Sequence, residues 1–221
     1  MADSRKTYAS ESLAEQIANM ATHGIGALLA VAGLVVLTVS ASLHGTALHI
    51  VAVTIYGVTL VLLYLASTVY HSVRGPRARS ICRMLDHAAI FLLIAGTYTP
   101  FALISMGGVW GWGMFVTIWT LAVAGVLFKI FFRVHGGPVS LIFYLSMGWI
   151  GIVAIGEMIA SVDAGGLVWL MIGALAYTGG IVFYVWERLP FNHAVWHLFV
   201  LAGSASHFIA IAGYVGPAAW A

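Results

Sequence analysis

The chain has 221 residues, of which 62% are hydrophobic and 7% charged, with a formal net charge of +2. A soluble domain carries roughly 25% charged residues, so this composition excludes an ordinary water-facing surface. Length and apolar content fit a multi-pass membrane protein of about seven spans, since roughly 20 helical residues cross ~30 Å of hydrocarbon.

The N-terminal residues 1–20 mix Asp3, Arg5, Lys6, Glu11 and Glu15 without an apolar centre, and do not read as a secretory signal. Within them "SLAEQIANM" has the pattern of a short amphipathic helix. Ser12 and Glu15 have capping-box spacing, and Leu13, Ile17 and Met20 share a side. Segment 1–21 is therefore expected at the inner headgroup surface. Apolar runs follow at about 22–42, 48–71, 86–105, 109–128, 138–160, 166–186 and 193–215, and 216–221 is a tail. The runs are continuous and lack strand alternation, which excludes a β-barrel. The expected fold is an all-α bundle of seven transmembrane helices over 22–215. Pro100 should bend the third helix. Gly148, Gly151, Gly173, Gly179 and Gly180 should permit close helix approach.

All nine Lys and Arg residues fall before the first span or in alternate loops: Arg5 and Lys6; Arg74, Arg77, Arg79 and Arg83; Lys129 and Arg133; Arg188. The positive-inside rule then puts the N-terminus in the cytoplasm and the C-terminus outside. Trp110, Trp112, Trp149 and Trp220 suit interfacial belts. Cys82 is the only cysteine, so there is no intramolecular disulfide.

Ionisable groups inside spans are costly and mark function. His193 and His197 are four apart on the last span, on one helical face, where both imidazoles reach one ion. His207 lies ten residues further, about 15 Å along the axis, beyond reach of that ion. A third ligand must come from another helix at equal depth. His71 closes the second span three residues before Arg74, and Asp86 opens the third, three residues after Arg83. Three neutral imidazoles with an open position form the pattern of a catalytic zinc site. Asp86 is placed to take a proton from water or to orient a ligand. Ser67, one turn before His71, is placed to hydrogen-bond the water or a substrate carbonyl. His87 points about 100° away from Asp86 and is not expected to share its target. Glu15, Asn19 and His23 line one face, and His23 is read as a structural hydrogen-bonding residue. His207 and Tyr98 are read as core residues, and His44, His49 and His135 as loop or interface residues. Such a site faces the inner leaflet, so an amide or ester near a lipid headgroup is the expected substrate.

The segments "EQIANMATHGIG", "STVYHS", "LDHAAIFLLIAGTYTPF" and "NHAVWHLFVLAGSASHF" resemble the signatures of the hemolysin III proteins. These belong with the progestin and adipoQ receptors, including the adiponectin receptors. The resemblance implies seven helices, an internal N-terminus and zinc near the cytoplasmic side. It places the metal ligands on His71, His193 and His197, with Ser67 and Asp86 beside the metal. It further implies hydrolysis of ceramide-like lipids, as in the eukaryotic receptor branch, and a similar constellation occurs in alkaline ceramidases. The expected function is metal-dependent hydrolysis of lipid amides at the inner leaflet of the plasma membrane, with membrane lipids as partners. Neither a protein hormone nor nucleic acid is expected. The alternatives are a non-catalytic, zinc-stabilised regulator of membrane homeostasis and, third, a pore-forming cytolysin.

Overall fold

The computed structural model describes residues 12–132 and 137–215. Asp3, Arg5, Lys6, Glu11, Arg133, His135, Trp220 and the tail 216–221 lie outside them. Among the described residues the secondary structure is entirely helical. The helices are α1 (Leu13–His44), α2 (Ala47–Ser72), α3 (Pro76–Pro100), α4 (Gly108–Phe132), α5 (Pro138–Gly148), α6 (Ile155–Ser161), α7 (Ala164–Val185) and α8 (Asn192–Tyr214). A π-helical segment, Phe101–Met106, extends α3, and a 3₁₀ segment, Ile150–Ala154, joins α5 to α6. With those extensions, seven helical units are long and apolar enough to cross a membrane.

α1 begins as its sequence predicts. The Glu15 N–H donates to Ser12 Oγ at 3.2 Å, and Glu15 Oε2 accepts from the Ser12 N–H at 2.9 Å. The helix continues unbroken for 32 residues. At 1.5 Å per residue that is about 48 Å, more than the ~30 Å hydrocarbon thickness, so one end projects beyond it.

The third span changes its hydrogen-bonding pattern immediately after Pro100, which lacks a donor. The backbone widens into the π segment, in which the Gly107 N–H donates to the Ala102 carbonyl. The fifth span is not the single helix its hydropathy suggests, because it breaks around Trp149. Tyr98 of α3 satisfies both sides of the break. Its hydroxyl donates to the Gly148 carbonyl at 2.7 Å and accepts from the Gly151 N–H at 3.0 Å. Interrupted helices survive in lipid when neighbouring groups satisfy the freed backbone in this way.

α3, α2 and α8 form the interior. Their apolar windows are 61%, 50% and 44% buried, against 17–28% for the other four spans. The remaining surface is a lipid-facing apolar band that includes Leu28, Val109, Phe131 and Val153. α7 packs closely on α8 through glycine: a Cβ at Gly173 would overlap the His207 ring, and one at Gly180 would meet Phe199 and Trp196. Gly148 has open space where a Cβ would stand, so its part is the carbonyl given to Tyr98.

Candidate metal centre

The start of α1, the end of α2, the first half of α3 and the start of α8 meet at the end of the bundle that carries Arg74, Arg77, Arg79, Arg83 and Arg188. There His71, His193 and His197 each offer a ring nitrogen, and the three atoms lie within 4.8 Å of one another. Ring centroids are separated by 5.0 Å for His71–His193, 5.1 Å for His71–His197 and 4.6 Å for His193–His197. The i, i+4 pair on α8 and the single imidazole on α2 therefore converge as their spacing and depth predict. Three such side chains can hold a metal ion.

The donor chemistry fits. His71 is buried, and neither of its ring nitrogens has a hydrogen-bond partner among the described residues. A buried polar group without a partner is costly, and a cation bound there removes the deficit. His197 Nδ1 lies 3.2 Å from the Asn19 carbonyl, which can only accept, so Nδ1 carries the proton. Thr22 Oγ1, 3.0 Å away, completes the contact. Nε2 is then the lone-pair nitrogen. Fixing one imidazole nitrogen by a carbonyl is the usual support of a metal-ligating histidine.

α1 holds α8 in register at a second place. Glu15 Oε1 accepts from the Phe191 N–H at 3.1 Å, immediately before α8, where Phe191 adopts φ 56°. Asn192 Nδ2 donates to the Phe183 carbonyl at 3.2 Å and ties the same turn to α7.

Asp86 and Ser67 stand outside the three-nitrogen group but line the same cavity as His193 and His197. Ser67 Oγ pairs with His23 Nδ1 at 2.7 Å and also interacts with the Asp86 carboxyl. The His23 ring stacks on that of His197, with centroids 3.4 Å apart and planes at 13°. His23 thus makes the interhelical hydrogen bond its sequence position suggested. The cavity measures about 160 Å³ and runs from this polar end between apolar residues of α3, α5 and α7. His207 lines its far part, with Nε2 donating to the Leu170 carbonyl at 3.2 Å.

Thr22 and the Asn19 carbonyl were not identifiable as site groups from sequence. Each acts on His197 from 175 or more residues away, and no local spacing encodes that contact. Lys129 also escapes a purely topological reading. It is buried and donates at 2.6 Å to the Oγ of Ser140, which lines the cavity.

A seven-helix integral membrane protein with a buried three-histidine cluster at one end is the class that fold and site define. The chain belongs to the Haemolysin-III related family, whose model matches residues 12–208. It is 48% identical to Hemolysin-3 of Bacillus cereus over 215 residues, covering 97% of this chain and 98% of that one. It is 44% identical to the Hemolysin-3 homolog of Bacillus subtilis (strain 168) over 203 residues, or 92% and 95% of the two chains. A more distant likeness, 34% over 167 residues (73% and 69%), links it to the Monocyte to macrophage differentiation factor of Homo sapiens.

Proposed function

We propose that the protein is a zinc-dependent hydrolase of lipid amides, ceramide-like in headgroup chemistry, working at the inner leaflet of the plasma membrane. The observation that carries this reading is the convergence of three imidazoles with Asp86 and Ser67 at the polar end of an otherwise apolar cavity. The Lys and Arg distribution supports a cytoplasmic position for that end.

His71, His193 and His197 would hold the zinc ion, which would supply Lewis-acid chemistry when bound. Asp86 is the general base: its carboxylate takes the proton of the attacking water and returns it to the leaving amine. Ser67 Oγ, fixed by His23 Nδ1, orients the water or the amide carbonyl. The apolar walls hold the acyl chain and exclude bulk water. Hydrolysis of membrane lipid also offers a route to the lysis that the relatives' name, hemolysin, describes.

The regulatory alternative has one observation in its favour. His71 on α2 faces His193 and His197 on α8, so an ion there would tie α2 to α8, with α1 supporting His197 through the Asn19 carbonyl. Purified protein in nanodiscs, assayed for bound zinc and for fatty-acid release from a lipid panel, separates the readings. The expected result is stoichiometric zinc with release from an amide lipid. Asp86→Asn should keep the zinc and lose roughly 10²–10⁴-fold in turnover, the usual contribution of a general base. Bound zinc without turnover on any lipid in the parent would establish the regulatory reading instead. Liposome leakage that persists in chelator would point to a pore.

A further inference from the structure

His71 differs from His197 in one respect: its second ring nitrogen has no support. A neutral imidazole has one lone-pair nitrogen and one N–H, and a metal takes only the lone pair. The N–H left over needs an acceptor, because a buried donor without one is costly. On His197 the Asn19 carbonyl and Thr22 Oγ1 meet that need. On His71, which is 6% exposed, neither nitrogen has a partner among the described residues.

The side chain of Asn19 has the matching deficit. Asn19 is 1% exposed, and neither its Oδ1 nor its Nδ2 has a partner among the described residues. The register between α1 and α2 sets it against His71. The two helices run antiparallel across the short turn at Gly45. A Cβ on Gly26 would strike the Tyr64 ring, and His23 Nδ1 pairs with Ser67 Oγ at 2.7 Å. One turn further toward the start of α1 stands Asn19, and one turn further toward the end of α2 stands His71, each on the same buried stripe as those contacts. α8 gives the same placement independently. The Asn19 carbonyl lies 3.2 Å from His197 Nδ1, and the His197 and His71 ring centroids are 5.1 Å apart.

We propose that Asn19 is a positioning residue for His71, its side-chain amide oxygen accepting the ring N–H that a bound metal leaves over. This role rests on the reading that the three imidazoles hold a metal, and it adds the group that orients the one ligand contributed by α2. A terminal amide suits the place, because it can turn either its oxygen or its nitrogen toward a neighbour. The imidazole and the amide must turn toward each other, which a metal promotes by fixing the ring through its other nitrogen. Asn19 then serves two ligands on two helices, His197 through its backbone carbonyl and His71 through its side chain. α1, which donates no imidazole to the cluster, thereby sets the orientation of two that do.

The test is the zinc affinity of the full chain purified in nanodiscs, read by competition with chromophoric chelators of graded strength. Asn19→Leu, which keeps the branched shape and removes the polar atoms, should lower affinity by about 10–100-fold, the usual loss of an outer partner. Asn19→Asp, which keeps an acceptor oxygen in the same place, should stay near the parent. Against a His71→Ala background, measured with the weaker chelators, Asn19→Leu should cost nothing further, because the N–H it serves has gone. Asn19→Ala stands in if Asn19→Leu does not fold. An affinity unchanged by Asn19→Leu, a loss that persists in full with His71→Ala, or a loss in Asn19→Asp as large as in Asn19→Leu overturns this role for Asn19 while leaving the metal centre intact. A parent that binds no zinc overturns the metal centre and the role of Asn19 together.

Discussion

The Nδ1 proton of His197 is committed to the Asn19 carbonyl and Thr22 Oγ1, and this fixes which nitrogen faces the other two imidazoles. Loss of such outer partners typically lowers metal affinity by about 10–100-fold. Thr22→Val should therefore weaken zinc binding by about tenfold, measured by competition with a chromophoric chelator. His71→Ala should weaken it more, because a ligand itself is lost. The histidines were legible in the sequence because helical spacing and distance from an arginine are local quantities. His193 and His197 needed only the count of four, and His71 needed the depth of Arg74. Thr22 and Lys129 were not legible as site groups. Thr22 is an ordinary helix residue until α8 is laid against it, and Lys129 reads as a topology signal until its inward turn is seen.

The broken fifth span depends on one hydroxyl. Tyr98→Phe removes the partner of both the Gly148 carbonyl and the Gly151 N–H at a nearly constant ring volume. Gly151 is buried and the Gly148 carbonyl lies within a span, where an unsatisfied backbone group costs about 1–3 kcal/mol or more, so the variant should be measurably less stable in thermal or steric-trapping unfolding. The contact between α7 and α8 makes a sharper demand. Gly173→Leu drives a side chain into the His207 ring and should be more damaging than Gly148→Ala, whose Cβ enters open space. An irregularity in the helix at Pro100 was foreseeable because proline lacks a donor wherever it stands. The break at Trp149 was not. Glycines are common in membrane helices, and the group that makes this interruption tolerable is fifty residues away in α3.

In the whole molecule the cluster joins helices from opposite ends of the chain, and the side of the membrane on which it lies decides which lipids reach it. Arg74 between α2 and α3, the arginines in the first turns of α3 and Arg188 between α7 and α8 share an end with His71 and His193, whereas the turns at Gly45, Gly107 and Asp163 carry no Lys or Arg. The positive-inside rule counts such short loops and predicts a cytoplasmic cluster. Alkaline phosphatase fused after Asp163 should then be active, and a fusion after Arg188 inactive. A cytoplasm-only fluorescent reporter should show the opposite pattern. The reverse outcome would turn the bundle over and present the histidines to the outer leaflet. Asp86, Ser67 and Lys129 would go with them, because all occupy the same end of one rigid set of helices. The chemistry available to those side chains would be unchanged, and the substrate would then have to be an outer-leaflet lipid.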